Sequence, residues 1–214
     1  MGGRKDIEVP PPSDYADALG KAWADFVRMD MERLASNAGA RYDRSNRMLG
    51  VPFLNDEVSV EIDSRKVLDG AGQELRTYQA ILMLHYLVGA KPSAPAGTWL
   101  TFREFDGGMF YYSAFESRSI ARIIETFGSN VELLRKAAER LGGEQVAMGD
   151  VAVRFDVFPK VPIIVVVWQG DAELSPSANI LFDSSAGTIF STEDLTVVAG
   201  LVAGKLVKQA RELS

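Results

Sequence analysis

The segment from Val151 to Trp168 constrains the fold more than any other part of this chain. Val151, Val153, Phe155 and Val157 point one way, and Ala152, Arg154, Asp156 and Phe158 point the other. Pro159-Lys160 leaves room only for a tight connection, so the next segment must run back antiparallel beside the first. That segment, Val161 to Trp168, is apolar on both faces, which predicts an inner strand. Pro162 lacks a donor N–H and is tolerable near a strand start. A sheet built around such a hairpin needs helices to cover it.

The remaining patterns supply them. Ser13 offers an N-cap, with Asp14 and Asp17 in the first turn, and helical spacing from Tyr15 to Leu34 predicts one helix over about 14–36. Residues 74–89 predict a strongly apolar helix, buried in the middle of the fold. Helices are expected at about 114–127 and 130–141, closed by Gly128 and Gly142-Gly143. Ser191-Thr192-Glu193-Asp194 reads as a capping box opening a last helix to about Arg211. Strands are expected at Arg47–Phe53, Glu57–Ile62, Arg65–Leu68 and Asn179–Asp183. Thr98–Glu104 and Met109–Tyr112 are expected to form a hairpin through Phe105-Asp106-Gly107-Gly108. Residues 1–12, with Pro10-Pro11-Pro12, read as a flexible tail, and 13–214 as a single domain. Strands in adjacent groups and helices in blocks predict an α+β fold with a mainly antiparallel sheet.

Composition removes whole classes of chemistry. The 214 residues include no cysteine, so the chain carries no disulfide, thiolate zinc site, iron–sulfur cluster or cysteine nucleophile. A net charge of −6 leaves no general electrostatic footprint for nucleic acid. The longest apolar run has 8 residues, Val161 to Trp168, against the roughly 20 of a membrane span, and no signal sequence is visible. A cytoplasmic protein without nucleic-acid or membrane partners is the expectation; the oligomeric state is not readable.

Candidate chemistry is sparse. His85 is the sole histidine, on the helix face carrying Leu75, Tyr78 and Leu82. It reads as an axial metal ligand, as a general base, or as a core residue hydrogen-bonded within the fold. A Ser-His-Asp triad has no Gly-x-Ser-x-Gly elbow to support it. Period two along Thr98–Glu104 points Glu104 inward, where Arg118 or Arg122 would have to partner it. Tyr111 and Tyr112, beside Phe110 and Phe115, read as walls for a planar ligand or as ordinary core. Gly107-Gly108 and Gly142-Gly143 read as a turn and a helix stop, without phosphate-loop spacing. The acids Asp150, Asp156, Asp171, Glu173 and Asp183 lie at strand ends and turns. Asp183-Ser184-Ser185 reads as a solvated turn or part of a hard-cation site.

Several of these segments together resemble a family. The blocks are Leu84-His85-Tyr86-Leu87, then Trp99 to Tyr112, Phe127-Gly128 and Gly149-Asp150-Val151-Ala152. Gly170-Asp171-Ala172-Glu173 with Pro176-Ser177, Ile180 to Ser185, and Thr192-Glu193-Asp194-Leu195 complete the series. In that order, over about residues 20–210, the chain resembles the prokaryotic family known as domain of unknown function 3786. The resemblance implies an association with anaerobic bacteria and archaea, and so with cofactor or metalloenzyme partners, corrinoid systems among them. Some relatives carry a cysteine-rich iron–sulfur segment, from which this chain departs. The blocks take in His85, Arg103, Glu104, Tyr111 and Asp183, and Arg118 lies between two of them. The candidate cofactor-binding set is therefore His85, Glu104, Tyr111, Tyr112, Arg118 and Asp183, with His85 as the metal ligand.

Two functional expectations follow. In the first, the chain binds a small molecule or cofactor, with a tetrapyrrole or corrinoid as the candidate, in an apolar pocket walled by the two tyrosines. In the second it is a non-catalytic accessory protein that docks on a redox or methyl-transfer enzyme through an exposed apolar patch. A cofactor-independent enzyme using Glu104 or His85 as base ranks behind both.

Overall fold

The computed structural model describes residues 14–213. Ser13 and the tail at 1–12 lie outside them. The fold is α+β, and both of its sheets are antiparallel throughout. The first sheet is a meander in the order β1 (Arg41–Asp43), β2 (Met48–Phe53), β3 (Asp56–Glu61) and β4 (Lys66–Leu68). The second contains β5 (Trp99–Thr101), β6 (Glu144–Val146), β7 (Val151–Phe158), β8 (Val161–Trp168) and β9 (Ser177–Asp183). Its spatial order is β5-β9-β8-β7-β6, so β8 is the central strand, as its two apolar faces require. On one face Ile163, Val165 and Val167 join the main core, where the helices pack. On the other, Ile164 and Val166 form a smaller cluster with Ala152, Trp99, Val146 and Leu181, built of strand residues alone.

The helices are α1 (Asp14–Val27), α2 (Met31–Ala38), α3 (Thr77–Gly89), α4 (Gly108–Phe115), α5 (Ala121–Phe127), α6 (Val131–Glu139) and α7 (Thr192–Leu213). The helix expected over 14–36 is thus two. Asp30 breaks it by taking an extended conformation and accepting a hydrogen bond from Arg33 N at 2.8 Å, which starts α2. Ser191 and Asp194 do form the expected capping box at the start of α7.

The sheets meet at the tip of the β2–β3 hairpin. Leu54 N donates to Val157 O at 3.0 Å, and Asn55 Nδ2 donates to Arg140 O at 2.6 Å. Beneath this contact Phe158 stacks on Tyr86 of α3 with ring centroids 4.2 Å apart, and also meets Phe53 of β2 and Phe190 before α7. The Tyr86 hydroxyl donates to Ala38 O at 2.6 Å and accepts from Lys160 N at 3.3 Å. One aromatic group thus ties both sheets to α2, α3 and the approach to α7.

The expected hairpin at 98–112 is corrected. Only Trp99–Thr101 is strand, and Phe102–Glu104 turns as a 3-10 helix. Met109–Tyr112, expected as its partner strand, is helical. Gly107 takes the left-handed conformation at φ 73°, which turns the chain into α4. Gly108 then packs so closely that a Cβ would lie 2.2 Å from Phe102 O. The Phe102 and Phe115 rings stack at 4.2 Å and 6° between planes, which locks the helical path. From α4 the helix continues through a π turn, Glu116–Ile120, into α5.

Candidate functional site

His85 projects from the last turns of α3 toward the start of α7. Its Nδ1 lies 3.0 Å and 3.1 Å from the two carboxylate oxygens of Asp194. Although most of α3 is buried, the His85 side chain is 40% exposed, whereas that of Asp194 is 12% exposed. The helix brings Tyr86, not His85, to the aromatic core, because adjacent residues on a helix point about 100° apart. Asp194 also accepts from Ser191 N at 3.2 Å and Ser191 Oγ at 2.8 Å. A carboxylate used for helix capping therefore also orients the imidazole.

The charges around His85 are acidic. The hydrogen bond to Asp194 raises its pKa most; burial opposes this, and Asp194, Asp25 and Glu193 add further electrostatic raising. Protonation is thus favoured relative to a free histidine. Stabilisation by this pair is fully present below the unfolded value of about 6.5 and is lost as pH rises through the higher folded value. Because the ring is well exposed, the contribution is small, under about 1 kcal/mol. His85→Gln should therefore lower stability slightly at about pH 6 and leave it unchanged near pH 9, as read by urea unfolding at each pH.

This geometry determines what His85 can do. Ser191 bonds to the carboxylate and not to the imidazole, so the three residues do not form a nucleophilic triad, which needs the hydroxyl on the other ring nitrogen. The carboxylate on Nδ1 fixes the ring so that Nε2 faces away from Asp194, the arrangement that orients a metal-ligating histidine. Among the described residues, however, no group of three or more His, Asp or Glu side chains is placed to hold a metal ion.

Among the described residues, the hydrogen bonds and ion pair of His85 run to Asp194 and to none of the other sequence candidates. Glu104, expected inward against Arg118 or Arg122, is exposed. It turns back to accept from Thr101 N at 2.7 Å and Thr101 Oγ1 at 2.8 Å, and these bonds hold its carboxyl below the usual range. The 3-10 turn replaces strand geometry, so period two no longer applies. Arg118 is exposed on the π turn, beside Gly200 of α7. Tyr112 is half-buried, with the Arg103 guanidinium 3.7 Å above its ring. Tyr111 is exposed and Phe115 is core.

Asp183, read as a solvated turn, is completely buried. Its carboxylate accepts from Ala96 N, Gly97 N, Ser185 N and Ser185 Oγ, at 2.6 to 2.9 Å. Burial alone would push this carboxyl up; the donors of Ser185, Ala96 and Gly97 outweigh it and hold the pKa low. Four donors occupy the group, so its position explains the path of two loops and leaves little for a ligand.

Among the described residues, open clefts of about 360 Å³ and 480 Å³ are found. The first lies between Gly128-Ser129 and the β8–β9 loop at 170–176, and the second between α6 and the β6–β7 edge. Neither includes His85, Tyr111 or Tyr112.

One feature was missed by sequence reading. At the start of α4, Phe110 is 93% and Met109 68% exposed, next to Tyr111 at 41%. This knob stands on a fixed base: Gly108 is buried against Phe102 O, and Thr192 Oγ1 of α7 donates to Asp106 O. The signal was present in Gly107-Gly108-Met109-Phe110, a glycine pair that opens a helix as readily as it closes a hairpin.

No curated protein and no solved structure matches the chain. A family model does, over residues 30–205, which takes in both α3 with His85 and the start of α7 with Asp194. The chain belongs to the family described as domain of unknown function, DUF3786.

Proposed function

We propose that the protein is a non-catalytic interaction module that inserts the Met109–Phe110–Tyr111 knob into an apolar pocket on a partner protein. The exposure of Phe110 carries this reading. A fully solvated phenylalanine on a well-anchored helix gains nothing within the chain, while burial of its ring in a complex would contribute about 1.5–3 kcal/mol. Aromatic and methionine side chains are the residues enriched where protein surfaces meet. The knob is convex, so the partner surface is concave. Asp106 precedes it and Glu193 follows the Thr192 contact, so a basic rim on the partner fits the flank. A redox or methyl-transfer enzyme, the partner class that the family resemblance implies, is the first to test.

Phe110→Asp should abolish stoichiometric co-purification of a partner from the native host, with the melting temperature unchanged. Equal recovery with wild type and variant would overturn the docking reading.

The orientation of His85 by Asp194 favours a second reading, in which Nε2 ligates a tetrapyrrole or corrinoid. An absorbance band that appears on adding haem or cobalamin and is lost in His85→Ala would establish it. Docking alone predicts an unchanged spectrum.

A further inference from the structure

We propose that the charge on His85 regulates the docking knob, through a continuous polar chain from α3 across the first turn of α7 to the start of α4. This rests on the docking reading for its purpose but not for its mechanism. The chain begins at His85 Nδ1, which meets both oxygens of Asp194. Asp194 Oδ2 holds Ser191 through its N–H and its hydroxyl, and Ser191 Oγ in turn accepts from Asp194 N at 3.1 Å. The next residue, Thr192, donates its hydroxyl to Asp106 O. Asp106 is joined through Gly107 and Gly108 to Met109 and Phe110, and Phe110 N donates back to Gly107 O at 2.9 Å. Every link is a hydrogen bond or a short stretch of backbone.

The electrostatics supply the switch. The charged groups acting on His85 are Asp194 and Glu193 from α7 and Asp25 from α1, all acidic. With the imidazole protonated, Asp194 is a neutralised partner in a charge-assisted pair. With it neutral, Asp194 keeps its hydrogen bonds from Ser191 N and Oγ but is a largely buried carboxylate that has lost the positive charge beside it. The carboxylate then re-divides its hydrogen bonds between the ring and Ser191, which shifts the Ser191–Thr192 turn and with it the Thr192–Asp106 contact that anchors the knob. Burial of Asp194 gives the pair its leverage, and exposure of His85 lets the proton exchange freely.

The full chain, labelled with 13C on methionine methyl groups, tests this by NMR from about pH 5 to pH 9. Met109 should shift and broaden with the same midpoint as the His85 ring. In His85→Gln that transition should vanish. In Thr192→Val the ring should still titrate while Met109 stays silent, which separates a broken chain from a misfolded variant. A Met109 signal that ignores pH, or that keeps its transition in His85→Gln, would overturn the proposal. No partner is needed, so failure here leaves the docking reading standing, and failure of docking leaves this result intact. With a partner in hand, affinity should be about fivefold weaker above the midpoint than below it.

Discussion

Phe158→Ala is expected to lower stability by about 3–5 kcal/mol, among the largest effects available in this chain. Phe158 touches one ring from each part of the structure that must come together: Phe53 from the first sheet, Tyr86 from α3, and Phe190 from the approach to α7. Its side chain is fully buried, so truncation removes transfer energy and leaves a cavity walled by three rings that each have other anchors. Tyr86, for example, is held by Ala38 and Lys160 and cannot collapse into the gap. A typical domain has only about 5–15 kcal/mol in all. Thermal unfolding should show a midpoint lower by roughly 10 °C or more. A change under 2 °C would mean that the two sheets are joined elsewhere.

Asp183→Asn should cost about 3 kcal/mol at neutral pH, although it exchanges one oxygen for an NH2 group and changes almost no volume. The wild-type carboxylate faces donors only: three backbone N–H groups and the Ser185 hydroxyl. An amide presents an NH2 to at least one of those N–H groups, so two donors meet and a buried N–H is left unpaired. The pH dependence gives a second check. The folded pKa is lowered, so the stabilisation is present above the unfolded value of about 3.9 and is lost as pH falls through the folded value. The gap between wild type and variant should therefore be widest at neutral pH and narrow in acid. A gap that grows in acid would contradict the assignment of Asp183 as an ionised loop clasp.

The parts of the fold that were legible beforehand are those in which local pattern and final environment agree. Val161 to Trp168 is apolar on both faces because it ends between a helical layer and a second cluster of strand side chains. Ser191 and Asp194 announce a helix start and form one. The start of α4 was not legible in the same way. Met-Phe-Tyr-Tyr carries strand propensity, and Gly-Gly ahead of it suits a hairpin turn. What decides for helix is the stacking of Phe102 on Phe115 and the contact of Gly108 with Phe102 O, both tertiary. Glu104 failed for the same reason, since its orientation was reckoned from a strand that ends at Thr101.

The site was less legible than the fold. His85 stood out as the sole histidine, but its partner lies 109 residues away and carries no local sign of a second role beyond capping. Asp183 looked like a turn acid because Asp-Ser-Ser is polar. Its burial depends on Ala96 and Gly97, in a loop 86 and 87 residues earlier. Long-range pairing of this kind leaves no periodic trace.

The most direct test of the account is photo-crosslinking from the knob itself. Benzoylphenylalanine would replace Phe110 in one sample and Lys66, on the edge strand β4, in another, with irradiation in extract of the native host. The account predicts one crosslinked protein from position 110 and none from position 66. That protein, purified, should bind wild type at least tenfold more tightly than Phe110→Ala, a loss of about 1.4 kcal/mol or more. Crosslinks of equal yield from both positions, or equal affinity for wild type and Phe110→Ala, would contradict the claim that the exposed ring is the docking element.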